Sequence, residues 1–130
     1  MVRSLAALAA LILPAALNAE PVLVDDPAAC ALYDANAPGA MMTLQGEDRT
    51  VLTPDGMSAI EWYCEFETPV ELDWADDALA IRPGYCMEPG PGVFPDVFVI
   101  ADFQGEDGIV YLWSMSGGGT GEATVFYRCD

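Results

Sequence analysis

Four cysteines, Cys30, Cys64, Cys86 and Cys129, follow an export leader, and this combination sets the first boundary on the fold. Met1-Val2-Arg3 carries one positive charge, Ser4 to Leu13 is an Ala/Leu/Ile run, and Pro14 ends it before the small residues up to Ala19. We read residues 1–19 as a signal peptide and residues 20–130 as a single acidic β domain. The apolar stretch from Leu5 to Leu17 falls short of the roughly 20 residues that cross a bilayer, so no membrane span is expected. No cysteine lies at the cleavage point to carry a lipid. An even cysteine count in an exported chain reads as two disulfides. Four cysteines allow three pairings, and we favour Cys64–Cys86 between neighbouring strands and Cys30–Cys129 across the two chain ends. A redox or metal-binding role is disfavoured, because no C-x-x-C pair occurs and no His or Lys is present to lower a thiol pKa.

Breakers shape the rest. Asp26-Pro27 caps a short helix through Ala28 to Tyr33. From Gly39 onward, short apolar runs alternate with Gly, Pro and Asp clusters, the signature of a meandering all-β domain. Met41–Gln45 and Thr50–Thr53 read as a hairpin, and Ser58–Glu67 as the clearest strand, with Ile60, Trp62, Cys64 and Phe66 on one face. Ala78–Arg82 is a strand, with Tyr85–Met87 as its continuation beyond the Pro83-Gly84 break, followed by a rigid Pro/Gly excursion over 88–95. Asp96–Phe103 and Ile109–Met115 form a second hairpin, and Ala123–Cys129 closes the sheet. Val22-Leu23-Val24 is an edge strand or an extended arm. The expected fold is a small disulfide-stapled sandwich or partly open barrel of about seven antiparallel strands with a short N-terminal helix.

Charge narrows function. The chain has 21 Asp and Glu against four Arg, with no Lys and no His, a formal net of -17. Removing the leader takes Arg3 with it and leaves 21 acids against three Arg, a net of -18. Such a surface has almost no cation to neutralise phosphate, so nucleic acid is excluded as a partner. Without His, Ser-His-Asp and Cys-His catalysis and the usual zinc sites are absent; without Lys, so are Schiff-base chemistry and the Walker loop. No catalytic residue and no cofactor is expected.

Carboxylates remain as candidates. Asp73, Asp76 and Asp77 come nearest to a calcium loop, although no segment has the D-x-D-x-D-G spacing. Glu61, Glu65 and Glu67 surround Tyr63 on one predicted strand face, as a carboxylate-based hydrolase would need. Tyr111-Leu112-Trp113 and Phe126-Tyr127 read as core rather than as a ligand face.

The segment Ser114-Met115-Ser116-Gly117 resembles the Ser-x-Ser-Gly loop of bacterial periplasmic inhibitors of C-type lysozyme, which are small, exported, disulfide-bearing β-barrels. The Arg or Lys and the Tyr that follow the Gly in that family are replaced here by Gly118-Gly119-Thr120. The resemblance implies an inhibitor of a basic enzyme such as lysozyme. From the residues themselves we expect a non-catalytic binding or interaction module of the bacterial cell envelope, periplasmic or secreted, with a basic exported protein as partner. A calcium-stabilised structural protein and a hydrolase are the alternatives.

Overall fold

A computed structural model describes residues 20–46, 48–72, 78–103, 108–115 and 121–129. Residues 1–19, read above as a signal peptide, and Asp73, Asp76 and Asp77 therefore lie outside the described residues. Eight strands run in chain order around a closed antiparallel barrel: β1 (Val22–Val24), β2 (Val51–Thr53), β3 (Gly56–Ser58), β4 (Tyr63–Phe66), β5 (Ala78–Met87), β6 (Val93–Asp102), β7 (Ile109–Ser114) and β8 (Thr124–Cys129). Two helical turns interrupt the meander between β1 and β2, a 3-10 helix at Pro27–Leu32 and α1 at Ala40–Gln45. No described helix is long and apolar enough to cross a membrane.

The barrel closes because β1 has two partners. Val22 pairs with Cys129 and Val24 with Tyr127 on β8, while Leu23 pairs with Leu52 on β2. This strand is neither edge nor arm, and its unbroken apolar sequence follows from burial on both faces. Leu23 points into the barrel, whereas Val22 and Val24 join Val51, Leu44, Ala29 and Cys129 in a second cluster outside it. The helical turns roof that second cluster. Asp26 Oδ1 accepts from the Ala28 amide at 3.0 Å and caps the 3-10 helix at its proline start, as the sequence predicts.

The expected hairpin at Met41–Gln45 is instead α1. Its spacing lets Leu44 bury completely and Met41 pack against the outer cluster, while Met42 faces solvent. The expected strand Ser58–Glu67 is itself a hairpin. Ala59 donates its amide to the Trp62 carbonyl at 2.8 Å, which turns the chain and leaves Ile60 exposed. Cys64 and Phe66 face inward and Glu65 outward, so the predicted alternation holds for the second half of that segment. The first correction removes one expected strand and the second adds one, so it is Val22–Val24, as a full barrel strand, that brings the total to eight.

Strands β5 and β6 are the longest, registered over ten pairs from Ala78 with Asp102 to Met87 with Val93. Pro95 is accommodated because β7 pairs with β6 only from Phe98 onward, which leaves the first half of β6 an edge on that side. The inward residues of β6 are Asp96, Phe98, Ile100 and Asp102, while Val97 and Val99 face outward. Phe98 packs on Phe66 with ring centroids 5.1 Å apart, and Phe126, Leu52 and Leu112 complete the interior. At one end, Val70 closes the barrel, its amide held by the Pro54 carbonyl at 2.8 Å.

Both disulfides pair as expected, Cys30 with Cys129 and Cys64 with Cys86. They suit an oxidising, extracellular-type environment. The second one lies directly across the β4–β5 ladder. Close by, Gly84 lets β4 approach: a Cβ there would overlap the Glu65 carbonyl oxygen and touch the Phe98 ring. Gly84→Ala is accordingly expected to cost roughly 1–3 kcal/mol through overpacking. A urea midpoint equal to that of the native sequence would show that the ladder yields without strain.

Candidate functional site

The end of the barrel opposite Val70 opens into a cavity of about 480 Å³. Its walls come from five strands and two of the connections between them. Met57 stands on β3, Trp62 in the β3–β4 turn, and Phe94, Pro95 and Asp96 on β6. Ser114 ends β7, Glu88 begins the connection from β5 to β6, and the Cys64–Cys86 disulfide completes the wall. Two neighbouring clefts of about 370 and 350 Å³ meet the same Trp62 and add Glu61 and Asp48 to this end of the molecule.

Asp96 is the polar centre of the cavity. It lies on the inward row of β6, two residues before Phe98, and is only 7% exposed. Its Oδ1 accepts from the amides of Val97 at 2.6 Å and Met115 at 3.1 Å, and its Oδ2 accepts from the Ser114 hydroxyl at 2.5 Å. Donors on both oxygens fix the carboxylate in one orientation and meet its cost of burial. Phe94, by contrast, is half exposed and Trp62 partly so, leaving aromatic surface facing a concavity.

At the opposite end of β6, Asp102 is also inward and 3% exposed. Its Oδ1 accepts from the Ala78 amide at 2.9 Å, but its buried Oδ2 has no hydrogen-bond partner. Among the described residues no group of three or more acidic, Cys or His side chains is placed to hold a metal ion.

The structure separates the three glutamates that the sequence placed on one face. Glu61 falls in the β3–β4 turn beside Trp62, Glu65 sits on the outer face of β4, and Glu67 follows β4 at the Val70 end. Glu65 accepts from the Tyr85 hydroxyl at 2.5 Å, and this bond, helped by partial burial and the nearby negative charge, raises the phenol's pKa above its usual value of 10.0. A raised acid pKa means the contact stabilises the fold below pH 10 and is lost as pH rises through the folded-state value. The aromatics also divide. Phe126 is core, but Tyr111 and Trp113 stack on the outer face with centroids 6.3 Å apart, and Phe103 adjoins Tyr111 at 5.5 Å. In the segment resembling the inhibitor loop, Ser114 and Met115 are described and Ser114 holds Asp96; Ser116 and Gly117 lie outside the described residues.

Sequence reasoning missed Asp96, Phe94 and Trp62 as site residues. One signal was present: an acid two positions before a Phe-x-Ile inward row implies a carboxylate facing the interior. Against known proteins, the chain matches no family model, no curated protein and no solved structure.

Proposed function

We propose that this protein is a non-catalytic binding module of the bacterial cell envelope, periplasmic or secreted, whose partner is a basic exported protein. The observation that carries this reading is the barrel end around Trp62. Asp48, Glu61, Glu88 and Asp96 all line its cavities, and among the described residues no arginine does. Two of the three described arginines are engaged elsewhere on backbone carbonyls, Arg49 on Leu44 and Arg82 on Pro69. A concave, apolar surface with carboxylates of one sign focuses attraction on cations and speeds their encounter.

Association should therefore be steered. The rate constant for a captured basic protein is expected to fall about tenfold or more as salt rises from about 0.02 to 0.15 M, as the Debye length shortens. Neutralising Asp48, Glu61 and Glu88 together should slow association more than it speeds dissociation. Stopped-flow or surface-binding kinetics decide the matter, and unchanged rates in the triple variant would sink the proposal.

A second reading, inhibition of a basic C-type lysozyme, draws support from Ser114. That residue opens the segment resembling the inhibitor loop and stands at the mouth of a disulfide-bearing barrel. A lysis assay with the mature protein tests it directly.

A further inference from the structure

We propose that the cavity between Trp62, Phe94 and Asp96 is a receptor for an organic ammonium group carried on an apolar stem. This goes beyond a charge-steered surface, because it assigns one ligand chemistry to one enclosed place. The argument is by elimination among ligand classes. An anion would face Asp96 and the rim carboxylate of Glu88, with no arginine among the described residues of the wall to receive it. A neutral apolar ligand would cover Trp62 and Phe94 but gain nothing from the carboxylates of Asp96 and Glu88 in the wall. A small hydrated cation would meet Asp96 but leave both rings and Met57 wet. An alkyl- or aralkylammonium satisfies both halves of the cavity at once.

The geometry favours it in two further ways. Asp96 accepts from Val97, Met115 and Ser114, so its carboxyl group is oriented before any ligand arrives. Trp62 and Phe94 both line the cavity, and a cation over an aromatic face gains attraction that grows as water is excluded. The volume of about 480 Å³ falls within the range of small-ligand sites. The same chemistry has two sources, a free amine or a lysine side chain presented by a basic protein.

The test is a tryptophan-fluorescence and NMR titration of the mature protein with phenethylammonium, 2-phenylethanol and 3-phenylpropionate. The ammonium is expected to bind at least about tenfold more tightly than the alcohol, and the carboxylate not at all. Phe94→Ala and Glu88→Gln alter exposed residues and leave the fold intact, so their loss of ammonium affinity, about fivefold and twofold, reports on the cavity itself. Asp96→Asn should abolish the preference for ammonium over alcohol. Equal binding of alcohol and ammonium, or ammonium binding indifferent to Phe94→Ala, overturns the proposal. A basic protein that competes with phenethylammonium identifies the lysine source, and simultaneous binding identifies the free amine; both uphold the receptor. Ammonium binding without any basic protein partner would uphold this inference while removing the proposed function, and the reverse result would do the opposite.

Discussion

Replacing Cys30 and Cys129 together by serine is expected to remove about 5 kcal/mol of stability. The bond closes a loop with a sequence separation of 99, and the chain-entropy model assigns that much to a loop of this length. The separation of 22 between Cys64 and Cys86 corresponds to only about 3 kcal/mol. Small domains are stable by roughly 5–15 kcal/mol in total, so the longer bridge decides whether the barrel persists in dilute buffer. Urea midpoints of the two double-serine variants, each with the other bridge intact, provide the check. A larger loss from the Cys64 and Cys86 pair would refute the ranking. Titration of the unfolded, unreduced protein should find no free thiol, since no cysteine is free in the fold.

Phe98→Ala is expected to cost about 3–5 kcal/mol, the range for deleting a fully buried ring. The side chain has no exposure, contacts Phe66, and occupies the space that Gly84 leaves on β5. Residues on both neighbouring strands would have to move to fill the void, and their own ladder bonds resist that. Phe94→Ala removes the same ring four residues earlier on the same strand, from a position 51% exposed. It should cost about 1 kcal/mol or less. Thermal melts of the pair separate the two environments. Similar losses would mean that Phe94 carries the fold as well as lining the cavity.

Most strands were legible because their ends carry breakers. Pro54-Asp55-Gly56 turns β2 into β3, and the all-β class and both disulfides follow from breaker spacing and cysteine placement. Where breakers are missing, the reading fails. Ala59-Ile60-Glu61-Trp62 has no Gly, Pro, Asn or Asp, so the β3–β4 turn looked like the middle of a strand. Tertiary pairing imposed that turn, since β2 and β4 both need β3 between them. The six-residue α1 fell below the length at which helical periodicity stands out, and its Leu44 could serve a strand or a helix equally well. The cavity was the least legible feature. Its residues lie far apart in the chain, from Met57 to Ser114, and only barrel closure brings them to one end. The charge that points to a cationic ligand was plain in composition, whereas its concentration around Trp62 was not.

Closure through β1 and β8 also orders events in time. The chain emerges N-terminus first from a ribosome or a translocation pore, so β1 is available long before its second neighbour. The β5–β6 hairpin can form locally, but Val22 and Val24 must wait for Tyr127 and Cys129. Until then, β1 and β7 each present an unpaired strand edge to any other chain nearby. A molecule truncated before Thr124 would keep those edges permanently, along with an unpaired Cys30 thiol, and would be a seed for assembly with its own copies.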